Sequence, residues 1–205
     1  MAHKLICDSS EVDGLESRNA ILQFDEMRRI ANKAFRDKDF SLTEEIVLSL
    51  HECATRDIYL DSGVFRDGPV SISGTEHVPP PHEEVARHFQ DMLDYVNQNF
   101  YAETALHLCS YMMWRLNWIH PFFDGNGRTT RAISYLLFVA RLGYEPGGAP
   151  TWVDMIASDK FPYYDALDAA DAADKKGDLD VAVMQELVSG LLAKQLVSIV
   201  GDAGG

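Results

Sequence analysis

The stretch Asn117-Trp118-Ile119-His120-Pro121-Phe122-Phe123-Asp124-Gly125-Asn126-Gly127-Arg128-Thr129-Thr130-Arg131 separates two apolar helical patterns and decides how the rest of the chain is read. Before it, Ala102 to Trp118 places Ala105, Leu106, Leu108, Cys109, Met112, Met113 and Leu116 at helical spacing. After it, Thr129 to Leu142 does the same with Ile133, Leu136, Leu137, Val139 and Ala140. Pro121 forbids helix continuation through His120, and Gly125 and Gly127 around Asn126 favour a left-handed, turn-like backbone. The stretch is therefore a loop that closes on the N-terminus of the second helix. With Thr129 as the expected cap, successive amide N–H groups converge there into a nest for phosphate oxygens.

The side chains of the loop fit an anion. Arg128 and Arg131 share one face of the first helical turn, where cations oppose the helix dipole until a negative group joins them. Asp124 is a carboxylate of the kind that holds Mg²⁺ together with substrate phosphates. A neutral imidazole at His120 can accept the proton of an attacking hydroxyl. His120 and Asp124 also have the spacing of a helical metal pair, but Pro121, Gly125 and Gly127 break the helix that such a pair needs. Taken singly, the glycines read as a tight turn and the arginines as a solvated face; together in one short run they read as a phosphate-handling site.

The whole chain is acidic. Its 205 residues carry 18 Lys+Arg against 32 Asp+Glu, a formal charge of −14. That balance argues against nucleic acid or an anionic membrane as a partner of the whole surface, so any phosphate must meet local cations. Apolar residues make up 46% and charged residues 24%, enough for one sizeable core. The three cysteines, Cys7, Cys53 and Cys109, stand far apart, which suits a reducing compartment and makes cytoplasm the expected location. No apolar run approaches a membrane span or a signal-peptide core.

Elsewhere, Ile21, Leu22, Phe24, Met27, Ile30, Ala31 and Ala34 mark an amphipathic helix, and Ile46, Val47 and Leu50 mark another. Residues 63–81 change texture. There Val70-Ser71-Ile72-Ser73 and His77-Val78 flank a Gly-containing turn and predict a β-hairpin, stopped by Pro79 to Pro81. A helix with Val85, Phe89, Met92, Leu93 and Val96 follows. The last third offers a Tyr-rich stretch with Tyr163 and Tyr164, a break at Lys175 to Asp178, a closing helix to Val200, and a tail over 201–205 expected to fray.

From His120 to Arg131 the chain fills every fixed position of His-Pro-Phe-x-Asp-Gly-Asn-Gly-Arg-x-x-Arg, and so resembles the Fic (filamentation induced by cAMP) family. The resemblance implies a mainly α single domain over 1–205, a helical core with one β-hairpin flap (63–81) beside the active-site loop. It implies a protein adenylyltransferase that moves AMP from ATP to a Tyr, Thr or Ser hydroxyl, with His120 as base and Asp124 on Mg²⁺. Gly125, Asn126 and Gly127 would cradle the phosphates, Arg128 and Arg131 would neutralise them, and Tyr163 and Tyr164 would sit near the nucleobase. The flap (Val70, Ser71, Ile72, Ser73, His77 and Val78) would bind the target protein by strand addition. Partners are then ATP, a target protein and, for self-modification or dimerisation, a second copy. Alternatives within the family are transfer of another nucleotide, of phosphocholine or of phosphate, or removal of AMP; Gly127, where a phosphate-transferring relative has Lys, favours nucleotidyl transfer. A non-enzymatic nucleotide-binding module is the reading from another class, and an intact His120 and Asp124 speak against it.

The N-terminus adds a regulatory expectation. Many family members carry an inhibitory helix of pattern Ser/Thr-x-x-x-Glu-Gly/Asn whose Glu pairs with the second arginine of the loop. Ser9, Asp13 and Gly14 resemble that pattern over 1–19, with Asp13 in place of Glu and one methylene shorter in its reach towards Arg131. The plainer reading is an acidic helix start.

Overall fold

Capping residues, prolines and left-handed positions set the limits of the helices. The computed structural model describes residues 3–6 and 8–202. α1 (Ser9–Asp37) starts where the Asp8 carboxylate accepts the Glu11 N–H at 2.9 Å and ends at Lys38 with φ 52°. It is unbroken, so residues 9–19 of the expected inhibitory segment and the helix from Ala20 belong to one element, and residues 1, 2 and 7 of that segment lie outside the described ones. α2 (Glu44–Thr55) is capped by Thr43, α3 (His82–Asn99) begins behind the three prolines, and α4 (Ala105–Ile119) is capped by Thr104. α5 (Asn126–Leu142) follows the loop, then come α6 (Trp152–Ser158), α7 (Phe161–Asp174) and α8 (Ala182–Asp202). α6 has a full capping box between Thr151 and Asp154. The Tyr-rich stretch is the helix α7. Of the expected tail, residues 203–205 lie outside the described ones.

α4 and α5 are the central pair, with α1 and α2 packed on α5 and α3, α7 and α8 on α4. Met112 and Leu116 of α4 and Ile133 and Leu136 of α5 are fully buried, each removing some 1.5–3 kcal/mol worth of apolar surface from water, by the usual area rule. This pair holds the loop that joins it in place. No described helix is long and apolar enough to cross a membrane.

The β-hairpin expected over 63–81 does not form. Among the described residues the only β-pairing is an isolated bridge between Lys4 and Tyr59, and no ladder bond joins the two arms of 69–80. The turn is real, with Gly74 at φ 82°, but the arms are short and Pro69, Pro79 and Pro80 supply no N–H. Two isolated strands are also marginal without a third. Side chains hold the segment instead. Arg66 takes the Gly68 and Pro80 carbonyls at 3.1 and 2.6 Å, and the His77 ring docks on α4 and α7.

Candidate active site

α4 ends at Ile119 and His120 turns the chain with φ 48°. Arg66 fixes this corner. Its side chain is buried, its Nε donates to the His120 carbonyl at 2.8 Å, and its own N–H donates to the Pro121 carbonyl at 2.9 Å. The same guanidinium therefore ties both ends of the 68–80 segment to the corner that carries His120. The His120 ring lines a cavity of about 210 Å³, and its Nδ1 is buried without a hydrogen-bond partner. Nε2 is the nitrogen left to the cavity. Burial pushes the imidazole pKa down to about 4, with Arg66 and His77 acting in the same direction and the backbone of Asn117 and the Asp124 charge opposing. An imidazole so shifted is neutral at pH 7.

The loop beyond it is rigid by construction. Asn126 is buried, accepts the Phe122 N–H at 3.0 Å and donates to the Phe122 carbonyl at 2.8 Å. His51 stacks under Phe122 with ring centroids 3.6 Å apart, receives the Gly63 N–H on Nδ1 and donates from Nε2 to the Asp124 carbonyl at 2.9 Å. Gly125 caps α5 at φ 78°, and a Cβ there would lie 2.6 Å from Thr55 and 3.1 Å from His51. Only glycine fits. The expected cap, Thr129, instead lies in the first turn of α5, buried, with Oγ1 unpartnered. Among the described residues no hydrogen bond engages the N–H groups of Asn126, Gly127 and Arg128, which are the orphan donors of the helix start. The Gly125 N–H is already given to the Asp124 carboxylate. The Asn126 side chain likewise serves the loop rather than the cavity.

Asp124 is held from two sides. Oδ2 accepts the Tyr59 hydroxyl at 2.8 Å; Oδ1 accepts Arg128 at 2.9 Å as well as the Gly125 N–H. Burial first, then this bond to a carboxylate, pushes the Tyr59 pKa up to about 12, so the hydroxyl keeps its proton. Arg128 reaches Glu16 of α1 at 3.0 Å and the Ala54 carbonyl at 3.1 Å as well. Arg131, largely buried, forms no ion pair among the described residues and lines the cavity beside Gly127.

The cavity brings together His120, Gly127, Arg131, Tyr163 and Tyr164 with Ile72, Ser73 and His77 of the 63–81 segment. Tyr163 is buried and its hydroxyl is fixed by Asn117 and the Met113 carbonyl, whereas Tyr164 is half exposed at the rim. Val70, Ser71 and Val78 do not line it, and Val78 is 82% exposed. Asp13 is exposed and forms no ion pair among the described residues, Ser9 is the first residue of α1 after its cap, and Gly14 has open space around it. Sequence reasoning missed Arg66, Tyr59, Glu16 and Asp171; each acts across the fold, with no local pattern to announce it.

Residues 41–138 match the model of the Fic/DOC family. A protein adenylyltransferase Fic of Drosophila willistoni is 33% identical over 141 residues, 66% of this chain and 27% of that protein. The chain thus spans about a quarter of that relative's length. A Fic domain containing signaling protein from Bacteroides thetaiotaomicron VPI-5482 superposes with a TM-score of 0.76 at 22% identity, covering 94% of this chain and 73% of that one. A Fic family protein from Desulfovibrio desulfuricans G20 gives 0.70 at 24% identity, over 98% and 57% of the two chains. Residues 41–138, which carry the His-Pro-Phe loop closing on a glycine-capped helix, are thus similar to the Fic/DOC family, and the fold is the one that these structures share.

Proposed function

We propose that the chain is a protein adenylyltransferase that uses ATP. The observation that carries this reading is a His120 shifted to its neutral form in the same cavity as Gly127, at the start of α5, and Arg131. A base, orphan amides at a helix start and a cation are what transfer to a hydroxyl from a phosphate ester requires. The target hydroxyl oxygen attacks the α-phosphorus, its proton passes to His120 Nε2, and the bond to the bridging oxygen breaks to release pyrophosphate. Tyr163 and Tyr164 offer aromatic surface for the base.

Asp124 suits Mg²⁺ shared with the triphosphate. Magnesium commonly takes one or two carboxylates plus phosphate oxygens, and Oδ2, engaged by Tyr59 alone, has a lone pair to give. Bound there, the ion would neutralise phosphate charge. The segment 69–79, whose backbone groups make no backbone–backbone bonds, is the place for an extended target segment to add itself.

Incubation with ATP labelled on either the α- or the γ-phosphate tests this reading. Label from the α position is expected on a target protein or on the chain itself, with none from the γ position. The reverse outcome means phosphate transfer, and labelling from neither position overturns the reading.

Restraint of the site is assigned to Glu16 rather than Asp13, because Glu16 is the α1 carboxylate that reaches a loop arginine, Arg128. A partly exposed ion pair is worth roughly 0.2–1 kcal/mol. Glu16→Ala is therefore expected to tighten the apparent ATP affinity by up to about fivefold, and Asp13→Gly to leave it within error. Titration of ATP against both variants checks the pair of outcomes; an unchanged Glu16→Ala sinks the assignment.

A further inference from the structure

Between the two ends that Arg66 holds, the segment that walls the cavity is fastened to the helices by the ring of His77. His77 is 12% exposed, although its neighbours Glu76 and Val78 are exposed. Its Nδ1 lies 3.2 Å from Asp171 Oδ2 on α7, and its Nε2 lies 2.9 Å from the Trp118 carbonyl on α4. Both partners are pure acceptors. A neutral imidazole carries one N–H and can satisfy only one of them, so the geometry is that of an imidazolium. The Asp171 carboxylate is fixed in turn by the Trp114 indole N–H, which donates to Oδ1 at 2.7 Å.

We propose that His77 is a positioning residue whose protonation latches residues 69–78 over the cavity, and whose deprotonation releases them. The wall that the latch holds, Ile72 to Thr75, shares the cavity with His120 and Arg131. The consequence for transfer rests on the adenylyltransferase reading; the latch itself does not.

The charges around the ring support the sign. From α7 come Asp171 and, opposing it, Lys175, with Asp168 and Lys160 lining the same cavity. From α4, Arg115 lies 4.2 Å over the Trp118 ring, and from α3 the His88 ring stands edge-on to the same indole. The loop contributes His120, and the segment itself Glu76. Burial pulls the His77 pKa down, but the bonds to Asp171 and to the Trp118 carbonyl outweigh it and leave it above 6.5. A raised pKa means that the latch is closed at low pH and opens as pH rises through the folded value.

Two measurements that need no turnover test this on the full chain. NMR titration of the imidazole carbons gives the His77 midpoint, and ¹⁵N heteronuclear NOEs of residues 70–78 give the order of the segment at each pH. The midpoint is expected above 6.5, with the NOEs falling through that same midpoint. In Asp171→Asn both transitions should move together to lower pH; in His77→Gln the NOEs should be low throughout, while those of α4 and α5 stay high. NOEs that do not change across the His77 titration overturn the proposal, as does a midpoint unmoved by Asp171→Asn. Because neither readout uses ATP, a failed labelling experiment and a failed latch are separate results.

Discussion

His120→Ala is expected to reduce AMP transfer by roughly 10²–10⁴-fold, the range a positioned general base contributes, with little change in nucleotide affinity. The ring lines the cavity through Nε2 and makes no hydrogen bond on which the fold depends. The loss should therefore fall on kcat rather than on stability. The pH profile of the wild type carries the same signature. With the folded pKa lowered to about 4, the base form is present at all pH values above that. As far as this group is concerned, kcat/KM should stay level from pH 7 down through 6.5, where an ordinary histidine would already be protonating, and fall only on approach to 4. Steady-state labelling rates across pH check both points; an acid limb at 6.5, or a His120→Ala variant of wild-type rate, contradicts the assignment.

Arg66→Met is expected to be the most damaging single change to the fold around the site. It removes the donors that satisfy the carbonyls of His120, Gly68 and Pro80. Leaving a buried acceptor unpaired costs about 1–3 kcal/mol. Since the Gly68 carbonyl can turn to water while those of His120 and Pro80 are left unpaired, a net loss of about 2–6 kcal/mol is expected. Lysine, a single ammonium with no fork, should recover only part of it. Urea denaturation measures the loss, and a variant within about 0.5 kcal/mol of wild type, the scatter of ordinary surface changes, shows that the carbonyls find other partners. Transfer should fall even where the variant is folded, because the turn that aims His120 loses its anchor.

The sequence was most legible where chemistry and backbone constraint coincide in a few consecutive residues. Pro121 and Gly125 placed the end of α4 and the start of α5, and the run from His120 to Arg131 holds the residues proposed as base, amides and cations. Legibility ended where a residue acts at a distance. Tyr59 meets Asp124 across 65 positions, and Glu16 meets Arg128 across 112. The alternation of Val70 to Ser73 with His77 and Val78 was a local signal for a hairpin, and tertiary contacts overrode it: the backbone donors that a ladder needs are missing at the prolines, and His77 found better partners on α4 and α7. Thr129 had the right chemistry for a cap, but the helix begins at Asn126 because the Asn126 side chain closes the turn on Phe122.

That closure bears on the entropy of binding. Asn126 holds Phe122 by both its N–H and its carbonyl, and the His51 ring supports Phe122 from below. The loop is therefore ordered when the protein folds rather than when a ligand arrives. On the adenylyltransferase reading, a phosphate that enters would meet donors already in place and surrender only its own freedom of motion.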